Sequence, residues 1–148
     1  IIDMGNLTSL EILKLGRNKL TGSIPPIFPS SLKILNLEDN LIASAIPTEI
    51  GYLTNIEAIS IRNTGVGGTI PTEFGLLSNL ETLKMVSVPI AGSLPSEIGK
   101  LTNLVELDIV VTQLEGRIPS EYGNLSKLEI LALKYSSLTG TIPSTLGQ

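Results

Sequence analysis

The side chains of this 148-residue chain that could do acid–base chemistry are few and widely spaced. Histidine and cysteine are absent, so neither an imidazole base nor a thiolate nucleophile is available, and the usual zinc ligands are missing. The best remaining pair is Glu106 and Asp108, two carboxylates that would approach each other on one face of a strand. A carboxylate pair on an open strand face is a poor acid–base site, because no pocket holds a substrate against it. The sequence therefore predicts no catalytic residue, no metal site and no cofactor, and the chain is not expected to be an enzyme.

The composition restricts the partners in the same way. Ten Lys and Arg against fourteen Asp and Glu give a formal net charge of −4, and the basic residues form no stripe that would bind phosphate backbones. Nucleic acid is therefore not an expected partner. No apolar run approaches the roughly 18 residues that span a bilayer, so we expect no membrane contact by this segment.

A regular repeat organises the elements that must position any functional side chain. The proline of an Ile-Pro or Leu-Pro pair recurs at steps of 22 and then 24 residues, at Pro25, Pro47, Pro71, Pro95, Pro119 and Pro143. A fixed period of this length is typical of a solenoid. In the same frame an apolar pair with one residue between recurs as Leu13/Leu15, Leu35/Leu37, Ile59/Ile61, Leu83/Met85, Leu107/Ile109 and Leu131/Leu133. This alternation predicts one short strand per repeat, with these pairs inward and six strands forming a parallel sheet.

The rest of each repeat must turn and return to the next strand. The prolines are followed by segments such as Thr48-Glu49-Ile50-Gly51, in which a hydroxyl residue and a glutamate suit the start of a single helical turn. The glycine suits the end of that turn. We interpret these glutamates as helix-start residues and not as catalytic acids.

Two segments carry a family resemblance most clearly, 20–25 (Leu-Thr-Gly-Ser-Ile-Pro) and 138–143 (Leu-Thr-Gly-Thr-Ile-Pro). They resemble the consensus of plant-type leucine-rich repeats, found in ectodomains of receptor-like kinases and receptor-like proteins and in polygalacturonase-inhibiting proteins. The resemblance implies an α/β solenoid, a right-handed curved superhelix of about six 24-residue repeats. It also implies a parallel sheet on the concave face, short helical turns and extended segments on the convex face, and a second short strand near the Gly-x-Ile-Pro step. Residues 1–148 are expected to form a single array, an uncapped fragment of a longer domain, because neither end shows a polar capping sequence.

Two departures from that pattern give further expectations. The family's asparagine at the turn after the strand becomes a column of mixed residues, Asn18, Asn40, Thr64, Val88, Thr112 and Ser136. Hydroxyls replace part of the asparagine bonding but valine cannot, so the middle repeats are expected to be the softest, with backbone or water supplying the missing bonds. The repeat between Leu10 and Leu32 is two residues shorter, which should shorten the convex side and leave the strands in register.

The outward-facing strand positions differ between the two halves of the sheet. In the first half Arg17, Glu38, Asp39 and Arg62 alternate in sign, which predicts cross-strand charge pairing. In the second half an apolar island, defined as Val86, Val110, Val111 and Tyr135, is edged by charged residues. Exposed apolar patches with polar rims commonly mark contact sites, whereas the alternative is that the valines reflect strand propensity alone. The candidate partner-binding residues are therefore Val86, Val110, Val111, Tyr135, Lys84, Asp108, Lys134 and Arg62.

These features favour a recognition module that binds a protein or peptide ligand, or a co-receptor, through its concave face. The resemblance implies the ectodomain of a receptor-like protein or receptor-like kinase, exposed outside the cell. Two alternatives stay open: a secreted inhibitor of a hydrolase, similar to the polygalacturonase-inhibiting proteins, and an intracellular or structural scaffold with a cytoplasmic location. Asn6-Leu7-Thr8 and Asn124-Leu125-Ser126 fit the N-glycosylation pattern, on connections where a sugar would leave the concave face free.

Overall fold

One parallel sheet carries the fold of the chain, whose computed structural model describes residues 4–147. Its six strands in that range are β1 (Ile12–Lys14), β3 (Ile34–Asn36), β5 (Ala58–Ser60), β6 (Thr82–Val86), β8 (Glu106–Val110) and β10 (Ile130–Ala132). The register aligns the inward leucine positions of neighbouring strands, as in Leu13 with Leu35 and Leu83 with Leu107. The predicted solenoid with one short strand per repeat is confirmed.

A second set of short strands lies beside this sheet, where each repeat makes the Gly-x-Ile-Pro step. They are β2 (Thr21–Gly22), β4 (Leu41–Ile42), β7 (Ala91–Ser93), β9 (Gln113–Gly116) and β11 (Ser137–Leu138). Strands β2 and β4 form one pair and β7, β9 and β11 form a three-stranded sheet, with isolated bridges at Ala45–Gly67 and Gly68–Ile90 between them. The expected second strand is therefore present, but at the third repeat only isolated bridges replace it, so these strands form two separate sheets.

The opposite side of the solenoid is formed by single 3₁₀ turns. Those within residues 4–147 are Thr48–Tyr52, Thr72–Leu76, Ser96–Lys100, Ser120–Asn124 and Ser144–Gly147, and we call this side the helical face. Each of the first four turns follows an extended proline and has a glutamate in its first turn, as expected. The shortened first repeat has no such turn in residues 26–30, yet Ile12 still pairs with Ile34, so the strand register is kept.

The glycines of these turns have a different role from the one expected. Gly51, Gly75, Gly99 and Gly123 are not in the left-handed region, which a glycine ending a helix would adopt. A Cβ built on Gly99 would instead lie 2.4 Å from the carbonyl oxygen of Glu121 in the next turn. Close packing of one turn on the next therefore requires glycine at this position, and a side chain would force the turns apart.

The interior is one continuous aliphatic core between the sheet and the helical face. Leu80, Leu83, Leu104 and Leu107, from the middle of the array, have no exposed surface. The leucines of the first and last strands, such as Leu13, are only partly buried because each terminal strand has a neighbour on one side. Burial of this aliphatic surface is the main favourable term in folding.

The asparagine column after the strands is satisfied unevenly. The buried Asn40 side chain accepts a bond from the Leu20 N–H at 3.0 Å and donates to the carbonyls of Leu15, Leu37 and Glu38 at 2.9–3.1 Å. Val88 is buried without such bonds, while the neighbouring Ser87 N–H donates to the Val110 carbonyl at 2.8 Å. A backbone hydrogen bond between neighbouring repeats thus forms beside Val88. The two strands that end there, β6 and β8, are five residues long. The expected softness of the middle repeats stays a prediction.

A second asparagine ladder connects the loops that lead from the helical face into the strands. Asn55, Asn79 and Asn103 each donate a side-chain bond of 2.8–2.9 Å to a carbonyl of the preceding repeat. These bonds satisfy backbone carbonyls that the loop itself leaves unpaired. These asparagines recur every 24 residues in a Leu-Thr-Asn or Leu-Ser-Asn sequence, but only the packed repeats show their partners.

Tyr122 lies in the core of the fifth repeat, at the turn position where other repeats have Ile50, Phe74 or Ile98. It is buried, and its hydroxyl has no hydrogen-bond partner among the described residues. Burial, with a smaller effect of the nearby Glu97 charge, raises the pKa of this hydroxyl well above its ordinary value of 10.0.

Replacing this tyrosine should stabilise the protein. Tyr122→Phe removes an unsatisfied buried hydroxyl and is expected to raise the free energy of unfolding by about 1 kcal/mol. Because the folded pKa is raised, ionisation in the unfolded chain lowers wild-type stability as the pH rises above about 10, so the difference should widen there. Urea denaturation of both proteins at neutral pH and above pH 10 measures this. If the wild type and Tyr122→Phe had the same free energy of unfolding at each of the two pH values, the hydroxyl would have a hydrogen-bond partner in the folded protein.

Candidate binding surface

The exposed face of the six-stranded sheet, which we call the concave wall, brings the predicted island together. The pairing of β6 with β8 places Val86 beside Val110. The Val111 N–H donates to the Lys134 carbonyl at 3.0 Å, and the Thr112 N–H donates to the Tyr135 carbonyl at 3.2 Å. These two bonds hold residues 134–135, which follow β10, beside Val111 and Thr112. The apolar island is thus contiguous across three repeats.

The outer half of the island is well exposed. Tyr135 exposes 79% of its surface and Val111 47%, whereas Val86 and Val110 are half-buried in the wall. Tyrosine is enriched among residues that contribute most to protein interfaces, because it combines large apolar area with a polar hydroxyl. The geometry therefore offers an apolar platform along the lateral edge of the wall.

The backbone at this edge is left-handed in every repeat, which the sequence did not indicate. The residues with this conformation have φ between 48° and 59° and are Arg17, Asp39, Asn63, Ser87, Val111 and Tyr135. Asn and Asp tolerate the conformation, whereas a β-branched residue such as Val111 is an outlier there. Val111 also follows the end of β8. Strand propensity therefore does not explain it, although that alternative still accounts for Val86 and Val110, which end their strands.

The charged rim of the island is only partly neutralised. Lys84 Nζ lies 2.8 Å from a carboxylate oxygen of Glu106, so Glu106 is engaged by a lysine and does not form the carboxylate pair considered for Asp108. Among residues 4–147, neither Asp108 nor Lys134 forms an ion pair within 4.0 Å. A partner of either sign thus meets an unpaired charge at this rim.

The charge pairing predicted for the first half of the wall forms at one position. Arg17 Nε lies 3.8 Å from Asp39, whose other oxygen accepts a 2.7 Å bond from the Asn63 amide. An exposed pair of this kind contributes at most about 1 kcal/mol. Arg62 joins no ion pair in the described range, and its Nε is buried without a partner. Arg62 thus lies beside Val86 with donor capacity that the chain does not use.

Other kinds of site are not found in the described part of the chain. Residues 4–147 contain no group of three Asp, Glu, His or Cys side chains that could hold a metal ion. No helix in this range combines the length and apolar character that crossing a membrane requires. The asparagines of both glycosylation triplets, Asn6 and Asn124, are exposed, and Asn124 ends a turn on the helical face, away from the wall.

Comparisons with known proteins agree with this architecture. A leucine-rich repeat region model matches residues 29–148, and a leucine-rich repeat model matches residues 9–30. No curated protein sequence matched the chain.

Solved structures give similar matches over nearly the whole chain. The ectodomain of the receptor kinase GASSHO1/SCHENGEN3 from Arabidopsis thaliana, in complex with CASPARIAN STRIP INTEGRITY FACTOR 2, is 37% identical over 90% of this chain, with a TM-score of 0.87. The Arabidopsis HAESA ectodomain, in complex with an N-terminal extended IDA peptide hormone ligand, is 31% identical over 97%, with a TM-score of 0.89. A plant ice-binding protein is 28% identical over 90%, with a TM-score of 0.83.

The chain spans only part of these relatives, 16% of the first, 24% of the second and 44% of the third. The family assignment rests on the repeat model, which covers most of the sequence, together with the matching stacked-strand architecture. This chain belongs to the leucine-rich repeat family.

Proposed function

We propose that this chain is a recognition module, a segment of the ectodomain of a receptor-like protein or receptor-like kinase. It binds a protein or peptide ligand, or a co-receptor, on the concave wall and carries out no chemistry on it. Support for this comes from the two receptor ectodomains that share its repeats, both solved in complexes with the molecules named above. The same relatives support a location outside the cell.

The observation that carries the proposal is the exposed pair Val111 and Tyr135. A valine held at φ 57° costs stability, and burial offsets only part of that cost because 47% of the residue is exposed. A residue that is unfavourable for folding and exposed beside an exposed tyrosine fits a contact surface better than a structural role. The unpaired Arg62 and Lys134 on either side of the valines add basic contacts for a ligand with acidic groups.

A double substitution tests this surface. Val111→Asp with Tyr135→Ala should leave folding intact, because Asp39 already adopts the same conformation at the equivalent position of another repeat. Loss of two interface anchors should weaken binding by about thirtyfold, the equivalent of about 2 kcal/mol. The probe is the strongest binder selected from a random peptide library displayed on phage, synthesised and measured by calorimetry on wild type and variant.

Leu41→Asp is the matched control, because it places the same charge at an exposed apolar position outside the wall. It should leave the affinity within about twofold. Thermal unfolding followed by circular dichroism verifies that all variants fold. Equal affinity of the selected peptide for wild type and the double variant would remove the island as the binding surface.

A further inference from the structure

The helical face has a groove where the first repeat lacks its 3₁₀ turn. Residues 26–30 cross this face without a 3₁₀ turn, whereas Thr48–Tyr52 forms one in the next repeat. The space left open has a volume of about 430 Å³ and is lined by Pro26, Ile27, Phe28, Glu49, Tyr52 and Leu53. We call it the helical-face groove. Its volume is in the range of small-ligand pockets, so one large side chain can enter it.

Exposed apolar side chains lie around this groove, and they are confined to the turns nearest to it. Ile27 is 44% exposed, Tyr52 76% and Leu76 57%. Leu76 lies against the turn that bears Tyr52, since a Cβ on Gly51 would be 3.2 Å from Leu76 Cδ1. The equivalent positions of the next two turns are the exposed polar residues Lys100 and Asn124. Exposed apolar residues thus end the first two of these four turns and polar residues end the next two, and an exposed apolar patch with polar neighbours is typical of a contact site.

A row of carboxylates begins at the same groove. Glu49 lines it, and Glu73, Glu97 and Glu121 occupy the same position in the three following stacked turns. The hydrogen bond that each receives from the hydroxyl of the preceding residue is long, 3.3–3.4 Å. Within residues 4–147, none of the four lies within 4.0 Å of a lysine or arginine nitrogen. The row therefore consists of carboxylates without ion pairs and starts at an apolar groove.

We propose that the helical-face groove and this carboxylate row dock a segment of another protein that carries a large apolar side chain followed by lysines or arginines. The apolar side chain inserts between Phe28 and Tyr52, and the basic groups pair with Glu49 and Glu73. This surface lies on the opposite side from the concave wall, so the partner can bind while the wall holds a ligand. The docking surface does not depend on the function proposed for the wall.

The charge of the chain decides between this partner and other occupants. A second copy would bring a net charge of −4 and the same acidic row against this face, and the two rows would repel. An anionic lipid surface would be repelled for the same reason. A cationic segment instead gains from every carboxylate that it meets. The groove is small, so the complex is expected to be weak, with a Kd of about 100 μM.

Three synthetic decapeptides test the surface. The first has one phenylalanine followed by three lysines, and its two counterparts replace the phenylalanine with alanine or the lysines with glutamates. Each is titrated into the ¹⁵N-labelled chain while backbone amide chemical shifts are recorded. The first should shift the amides of residues 27–28, 49–53 and 73–76, and both counterparts should bind at least about tenfold more weakly.

Variants of the chain make the test specific. Tyr52→Ala with Glu49→Gln should weaken binding of the first peptide at least about tenfold, whereas Asn124→Ala with Glu121→Gln, at the same turn positions three repeats later, should leave it within about twofold. Glu49→Lys with Glu73→Lys should reverse the preference in favour of the glutamate peptide, a gain that a folding defect cannot produce. The proposal is overturned by shifts confined to the concave wall, by binding that ignores peptide charge, by self-association in sedimentation, or by no binding up to about 5 mM.

Discussion

Asn40→Ala should lower the free energy of unfolding by about 3 kcal/mol, because it leaves a buried set of backbone groups without partners. The Asn40 side chain accepts from the Leu20 N–H and donates to three carbonyls, those of Leu15, Leu37 and Glu38. Two of these partners, Leu15 and Leu20, belong to the preceding repeat. The substitution therefore loosens the first two repeats together. Urea denaturation followed by circular dichroism measures the loss.

Asn18→Ala is the control within the same column. Asn18 is exposed and donates only to Leu15 and Gly16 of its own turn, so its loss should cost less than about 1 kcal/mol. Asn40→Thr should fall between the two, since Thr64 occupies the same column and its hydroxyl accepts only one long bond, from the Val66 N–H at 3.4 Å. Equal losses for Asn40→Ala and Asn18→Ala would contradict the idea that contacts between repeats make this asparagine important.

Gly99→Ala should destabilise the chain by about 3 kcal/mol, at the upper end of what overpacking costs. The added Cβ would lie 2.4 Å from the Glu121 carbonyl oxygen and 2.7 Å from its carbon, and backbone cannot rotate away as a side chain can. The third and fourth turns must therefore separate, which weakens the stacking of the repeats that follow. Denaturant unfolding gives the change in stability, and the chemical shifts of residues 119–125 report the displaced turn.

Gly147 supplies the matched control, because it occupies the same turn position in the last repeat described. A Cβ there meets no atom within 4 Å, so Gly147→Ala should change the stability by less than about 0.5 kcal/mol. If Gly99→Ala and Gly147→Ala lowered the stability by the same amount, the conformation of the turn would explain why glycine occupies this position. The stacking explanation would then be wrong. Gly75, whose Cβ would lie 2.7 Å from the Glu97 carbonyl oxygen, is expected to behave like Gly99.

The two proposed binding surfaces differ in how visible they were in the sequence. The island on the concave wall follows from counting outward positions, because a strict repeat places residue i beside residue i+24. The helical-face groove does not, since the 22-residue spacing shows that two residues are missing but not what space they leave. The repeat spacing does place Tyr52 and Leu76 on adjacent turns, because they are 24 residues apart, but only the structure shows that both are exposed beside an open groove.

The sequence by itself determined the architecture: the strand positions, their register, the turns after the prolines from Pro47 onward and the inward apolar pairs of the core. It could do so because each repeat contacts mainly its neighbours, so one local pattern propagates along the chain. Only the tertiary structure decided the rest. It showed that Val111 is held in a left-handed conformation, that Lys84 engages Glu106, that Arg62 stays unpaired, and that stacking is why the turns need glycine. These properties depend on distances of a few ångströms between atoms that are distant along the chain, and periodicity does not specify such distances.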